Sequence, residues 1–231
     1  LERLSDKELL DDEQAVSDEE LLRSLREVWH VNRFLGGNPA LFRHIRKLMK
    51  RAGDARELRL LEVATGIADV ALALARWSAK RSIPVTITGV DIHSRIVKLA
   101  AERTAHTGII RIEQGDGRAL PYGDDEFDIG FCNLALHHFE EEEAVQVLQE
   151  LSRVCRFGFV VTDLERHPAA YAFARILAKL VWRSPVTRHD GPLSVQRAFT
   201  ADEARGLFAK AKVNGIVQRH FPFRLALIGY G

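Results

Sequence analysis

Apolar residues at the start of the chain recur with helical spacing, at Leu21, Leu22, Leu25, Val28, Trp29 and Phe34, until Gly36-Gly37 stops them. Ser17 followed by Glu20 is a capping-box pattern that predicts the start of this helix. Asn38-Pro39, a cap and then a first-turn proline, predicts a second helix with Leu41, Phe42, Ile45, Leu48 and Met49 on one face and Gly53 at its end. From residue 58 the pattern changes. Short apolar runs at 58–63, 84–90, 109–113, 127–132 and 157–162 read as strands, separated by helix-period segments at 68–80, 94–106 and 140–154. This alternation predicts βαβ units and a mostly parallel sheet covered on both faces, hence an α/β fold. A helix-rich insertion follows at 168–183, and Thr200-Ala201-Asp202-Glu203 opens another helix. Two last strands, 213–219 and 223–229, meet near Phe221-Pro222 and predict an edge hairpin.

Composition adds limits to this picture. With 231 residues and 46% hydrophobic content the chain can bury a full core as one domain with a small appendage. Cys132 and Cys155 lie in apolar runs without metal-ligand spacing, so they read as buried small hydrophobes, and no metal site is expected. No 18-residue apolar run and no signal-peptide pattern is present, which makes the cytoplasm the expected address. Residues 1–20 carry nine acids against two bases, leaving a net +8 on the remainder. The acidic stretch over 1–16 reads as a solvated, flexible tail, 17–53 as an N-terminal helical cap, and 54–231 as the main domain with a helical lid at about 164–199. The basic residues Arg43, His44, Arg46, Lys47, Lys50, Arg51, Arg56 and Arg59 lack interleaved aromatics. They read as a solvated face that meets the acidic tail, and nucleic acid is not an expected partner.

The stretch LLEVATGIAD, residues 60–69, places a strand, a glycine turn and a helix start in sequence, an arrangement that offers backbone N–H groups to a ligand. A dinucleotide fingerprint needs a small residue where this chain has Asp69, which argues against NAD or FAD. Asp91 ends the second strand, where a carboxylate can accept both ribose hydroxyls or cap the helix that follows. Asp116, with Gly117, ends the third strand, where it can accept from an exocyclic amine or simply form a turn. Ala64 and Ala68 flank Gly66, and their methyl groups are tolerable if the turn keeps negative φ.

With acids at the ends of three successive strands, the chain resembles the class I S-adenosylmethionine-dependent methyltransferases, particularly the small-molecule group that includes ubiquinone and menaquinone methyltransferases. The family's acid and Gly-x-Gly-x-Gly motif corresponds to Glu62, Ala64, Gly66 and Ala68, and LPYGDDEFDIGFCNLALHHF is similar to its region between third and fourth strands. The resemblance implies a Rossmann-like, doubly wound, mostly parallel seven-stranded sheet with an antiparallel edge hairpin and added N-terminal helices. It also implies S-adenosyl-L-methionine as cofactor. Glu62, Ala64, Thr65, Gly66 and Asp69 would lie around its methionine end, Asp91 and Ile92 at the ribose, Asp116 and Gly117 at the adenine, and Asn133 at the ammonium.

Methyl transfer from a sulfonium needs alignment and, for some acceptors, a base. His137 and His138 follow the fourth strand, and a histidine there can take a hydroxyl proton at neutral pH, with His138 preferred and packing as the alternative. In TRHDGPLSVQRAFT, residues 187–200, His189 is a further candidate base beside Asp190 and Arg197 a candidate partner for an acidic substrate group; a turn at Asp190-Gly191-Pro192 is the plainer reading. Asp163 is a pocket candidate that can equally cap a helix, YAFARILAKLVW reads as a lid, and Trp29, Phe34 and Phe42 as an opposite wall. The N-terminal helices and RHDGPLS narrow the resemblance to bacterial methyltransferases of polyketide-type natural products, implying O- or C-methylation of a small, largely apolar acceptor. The competing readings are a non-catalytic protein of this fold and a nucleotide-dependent oxidoreductase. Oligomeric state has no signature in the sequence.

Overall fold

The computed structural model describes residues 1–11, 16–53 and 57–231. Seven strands, β1 (Leu58–Val63), β2 (Val85–Asp91), β3 (Ile110–Gln114), β4 (Ile129–Asn133), β5 (Phe159–Leu164), β6 (Gly215–His220) and β7 (Arg224–Gly229), form one sheet in the order β3-β2-β1-β4-β5-β7-β6. The first five pair in parallel, and β7 runs antiparallel between β5 and β6. The described residues form eight α-helices: α1 (Asp18–Phe34), α2 (Gly37–Ala52), α3 (Asp69–Ala79), α4 (Ser94–Thr104), α5 (Glu141–Val154), α6 (Pro168–Leu180), α7 (Pro185–Arg197) and α8 (Ala201–Ala211). The expected Rossmann-like sheet and its edge hairpin are both present.

Parallel strands are buried on both faces, which is why β1, β4 and β5 read as nearly unbroken apolar runs. On one face Val147, Leu148 and Leu151 of α5 and Leu207 of α8 pack against Leu61, Val63 and Val161. On the other, Leu41, Ile45 and Leu48 of α2 join Leu74 of α3 against Leu60, Ile129, Phe131 and Val160. The N-terminal addition is therefore not all cap, because α2 is a layer of the core. Cys132 and Cys155 are free and buried, as small hydrophobes.

Several expectations change. Helix α2 begins at Gly37 with Gly36 as its cap at φ +83°, so Asn38 lies inside the first turn and caps nothing. Any Cβ at Gly36 would stand 2.5 Å from the Phe221 carbonyl oxygen, so the cap position admits glycine alone. The polar stretch around RHDGPLS is not a turn but α7, started by Ser184 and Pro185 and running through Pro192. Gly191 is there because the Trp182 ring would lie 2.3 Å from a Cβ.

The basic residues Arg43, Arg46, Lys47, Lys50, Arg51 and Arg59 are exposed, as a solvated face should be, while His44 is buried with Nε2 2.9 Å from that of His220; Arg56 and the boundary at 54 lie outside the described residues. Residues 1–11 do not meet that face. They lie along α7: the Leu9 and Leu10 N–H groups donate to the Asp190 carboxylate, Ser194 Oγ donates to Glu8, and Arg3 donates to the Phe139 and Arg197 carbonyls. Within the acidic stretch expected to be a solvated tail over 1–16, Glu8 and Asp11 are drawn onto partners in the fold, Glu2 and Asp6 are exposed, and 12–15 lie outside the described residues.

The turn after β1 departs from expectation in a further way. Ala64 has φ +55° and Ala68 φ +59°, both left-handed, which costs an L-residue about 1–2 kcal/mol at each site. Ala64→Gly should therefore leave thermal stability unchanged or raise it by up to about 1 kcal/mol, whereas Ala71→Gly inside α3 should lower it by about that amount or more. A chemical-denaturation comparison checks the pair; equal losses in both would count against a left-handed Ala64.

Candidate active site

Strand order reverses between β1 and β4, and the crevice at their carboxyl ends gathers the acids of the sequence. A cleft of about 250 Å³ there is lined by Ala64, Gly66, Asp91, Ile92, Asp116, Gly117 and His138. It adjoins a chamber of about 130 Å³ lined by Glu62, Thr65, Asp69, Asn133, Trp29 and Asn38. An apolar chamber of about 180 Å³ lies under α6 and α7, lined by Ala170, Phe173 and Leu177 of α6, Val28 and Val31 of α1, Phe223, and also by Glu8, His137, His138 and Arg224. Leu134 lines all three and holds φ +56°. Its N–H donates to the Thr162 carbonyl, so a strained residue stands at the junction of the chambers.

Asp91 is buried, and its two oxygens accept from Gly66 N–H at 2.9 Å and His93 N–H at 3.1 Å. It thus fixes the turn while presenting its remaining lone pairs to the cleft. Burial raises its pKa, against the pull of those N–H groups. Gly117 must be glycine, since a Cβ would lie 2.7 Å from Val63 Cγ1. Asp116 lines the cleft with its carboxylate engaged by the Arg118 guanidinium at 2.7 Å, which holds it below the usual carboxylate range. Asp69 pairs with Arg103 at 2.9 Å, and Asn133 Oδ1 accepts from Thr162 Oγ1 at 2.7 Å. Glu62 accepts from Thr65 Oγ1 at 2.8 Å, and complete burial pushes its pKa up to about 8.

The two adjacent histidines are held by separate carboxylates. His137 Nδ1 lies 2.7 Å from Asp163 Oδ1, with the His137 and Leu164 N–H groups donating to the same carboxylate. His138 Nδ1 lies 2.7 Å from Asp11 Oδ1. Burial alone would raise the Asp163 and Asp11 pKa values; His137 holds the first down, and His138 with Arg197 holds the second far below the usual range. Ionised carboxylates only accept, so both Nδ1 atoms carry a proton, and in the neutral ring the Nε2 atom is the one with the lone pair. Each Nε2 is turned toward Glu8, at 3.6 Å for His137 and 3.8 Å for His138. Burial pushes the Glu8 carboxyl up to about 7.

Other candidates are placed elsewhere. His189 is exposed and bonded to Asp190, so it reaches no chamber. Phe34 is 76% exposed beside Arg33 at the end of α1, and Leu35 lines the apolar chamber instead. Phe42 packs on the core, while Trp29 borders the chamber beside Glu62. Asp163 orients His137 and lines no chamber. Arg197 is spent within the chain, donating to the His137, His138 and Asp6 carbonyls and pairing with Asp11 at 2.7 Å. The cation that does face the apolar chamber is Arg224, buried, its Nη2 donating to Asn32 and its Nε without a partner among the described residues. Burial pushes its pKa down to about 10.

Sequence reasoning missed Glu8, Asp11, Arg224 and Asn38. For Asn38 the signal was read as a helix cap; both polar atoms of its buried side chain lack partners among the described residues.

Glu62 yields a pH dependence. Its folded pKa of about 8 exceeds the ordinary 4.5, so the stability it contributes is whole below 4.5 and is lost as pH rises through about 8. The wild type should lose stability relative to Glu62→Gln between pH 5 and about 9, read from denaturation midpoints at each pH. A constant difference would place Glu62 in a wetter site.

The family profile described as "Methyltransferase domain" matches residues 60–158. The chain is 30% identical to the uncharacterized methyltransferase YcgJ of Bacillus subtilis over 163 residues, covering 68% of this chain and 60% of that protein. It is 31% identical to a demethylmenaquinone methyltransferase of Deinococcus radiodurans, covering 60% and 58%. The chain spans about half to three fifths of the length of the curated relatives it matches. The crystal structure of YcgJ superposes with a TM-score of 0.53 at 25% identity, over 77% of this chain and 71% of that one. Magnesium protoporphyrin IX methyltransferase of Synechocystis, solved with bound SAH, shares the fold at 13% identity, with a TM-score of 0.61 over 92% and 99% of the two chains. With its motif acids gathered at the switch point of a matching sheet, the chain carries a methyltransferase domain over residues 60–158 and is similar to the class I S-adenosylmethionine-dependent methyltransferases.

Proposed function

We propose that the protein transfers a methyl group from S-adenosylmethionine to a small, largely apolar, oxygen-bearing acceptor of phenolic or polyketide type. The observation that carries this reading is His138, which borders both the cofactor cleft and the apolar chamber. The residues fit the cofactor. Asn38 has an unpartnered amide in the chamber beside Glu62, as a ligand's carboxylate and ammonium require, and Gly66 has nothing within 4 Å of its Cβ position. Asp91 takes the ribose hydroxyls, Ile92 and Gly117 border the base, and Asn38, Glu62 and Asn133 hold the amino-acid end.

The cofactor supplies an electrophilic methyl on a sulfonium. The chain supplies alignment and a proton acceptor. The acceptor's apolar body lies against α1 and α6, and its most acidic or carbonyl oxygen meets Arg224, the role sequence reasoning gave to Arg197. Bound S-adenosylmethionine would give up its methyl to the acceptor's oxygen or carbon and keep the C–S electron pair on sulfur, which leaves the acceptor's proton for the chain to remove. The acceptor's proton passes to His138 Nε2, whose Nδ1–H is held by Asp11. The name of a relative, a demethylmenaquinone methyltransferase, agrees with an apolar acceptor.

Calorimetric titration with S-adenosylhomocysteine, with NAD as control, tests the reading first. Micromolar binding of the first alone is expected, and Asp91→Ala should weaken it by about 2 kcal/mol or more, since a charge-assisted contact and the Gly66 anchor are both lost. His138→Ala should lower turnover of a phenolic acceptor about 100-fold with S-adenosylhomocysteine affinity within about threefold. Absence of S-adenosylhomocysteine binding would sink the cofactor assignment, and unchanged turnover in His138→Ala would return that histidine to packing.

A further inference from the structure

We infer that Glu8, His137 and His138 form a binding site for one divalent first-row transition cation of the zinc or cobalt type, at the inner wall of the acceptor chamber. Each offers one ligand atom, and the three atoms lie within 4.8 Å of one another. The Glu8 oxygens stand 3.6 and 3.8 Å from the two Nε2 atoms. That is longer than a hydrogen bond and close to the roughly 3.4 Å between two ligand atoms on one tetrahedral cation with bonds of about 2.1 Å. With every pair within 4.8 Å, movements of roughly an ångström or less bring the set onto one cation.

The chemistry of the set agrees with its spacing. Two imidazoles and one carboxylate suit zinc, iron or cobalt, and leave positions open for an exogenous ligand. Both rings have Nδ1 bound to a carboxylate, Asp163 for His137 and Asp11 for His138. A carboxylate behind a ligating histidine fixes its tautomer and raises its basicity, and here it leaves both Nε2 lone pairs directed at the same point. Glu8 and His137 are almost wholly buried. Three converging lone-pair donors out of water repel one another unless a proton or a cation lies among them. Ser194 Oγ donates to Glu8 Oε1, and Arg197 holds Asp11 and both histidine carbonyls, so the site is braced from α7.

The open positions face the apolar chamber that all three residues line. There a bound cation would take the acceptor's hydroxyl or enol oxygen and lower its pKa, so that in the cation-bound form the proton leaves to solvent, while His138 Nε2 accepts it in the cation-free form. This last step rests on the proposed function; cation binding itself does not.

The test is titration of the chelator-stripped full chain with Co²⁺, followed by visible absorption. One equivalent should bind with a saturating d–d band. Glu8→Gln and His138→Gln should each weaken binding at least 10-fold, and Asp11→Asn by 10-fold to 100-fold; His106→Ala, an exposed histidine outside the site, should leave it unchanged. In the wild type, proton NMR of the Co²⁺ form should give two exchangeable, strongly shifted Nδ1–H signals, one per ligating histidine, a count that needs no variant to fold. Failure to bind one equivalent, binding indifferent to Glu8→Gln and His138→Gln, or fewer than two shifted signals overturns the site. S-adenosylhomocysteine affinity measured on the same samples separates this outcome from failure of the cofactor assignment.

Discussion

Everything the protein brings together depends on the point where strand order reverses. Beyond β1 the sheet continues through β2 and β3 in one direction and through β4 and β5 in the other, so the connections leaving β1 and β4 part company. A crevice must open at their carboxyl ends, and the backbone there is free to bend because no crossover covers it. Glu62 and Ala64 flank it on one side, Asn133 and Leu134 on the other. The left-handed Ala64 and Leu134 are the two chain exits, each turned sharply off its strand.

A second layer of organisation is electrostatic. The apolar chamber has charged groups at its inner end, and each buried charge has a partner from a distant part of the chain. Asp11 reaches His138 and Arg197, Asp163 reaches His137, and Asp190 holds the N–H groups of Leu9 and Leu10. Burying such groups singly would be unfavourable by several kcal/mol each, whereas as a connected set they fix the first residues of the chain against α7. Helix α7 consequently turns Thr187, Asp190 and Arg197 inward, while Arg188 and His189 stay exposed.

This explains which features were legible in the sequence. Strands β1 to β5 stood out because burial on both faces leaves apolar runs bounded by turns, and Glu62, Gly66, Asp91 and Asp116 stood out because each ends a strand. Helix α7 had no apolar stripe to detect, since Thr187, Asp190 and Arg197 are buried for their bonds and not for their hydrophobicity. Glu8 and Asp11 were hidden in an acidic run whose partners lie more than a hundred residues away, a relation that local charge counting cannot register. Asn38 reads as a cap in the sequence, but Gly36 took the cap and left the Asn38 amide without a partner among the described residues. Arg224 and not Arg197 faces the apolar chamber, because the deciding quantity, which guanidinium already has partners, belongs to tertiary structure.

The alanines on either side of Gly66 affect more than the folded state. A glycine at either position would leave the unfolded chain more disordered, so part of the left-handed strain is offset by the smaller entropy an alanine loses on folding, about 0.4–1 kcal/mol per site. Once folded, an alanine at φ +55° or +59° has few neighbouring wells into which it can wander, unlike a glycine. The turn at the crevice is thereby more restricted at Ala64 and Ala68 than glycines would leave it, so less conformational entropy remains to be lost if a ligand orders it.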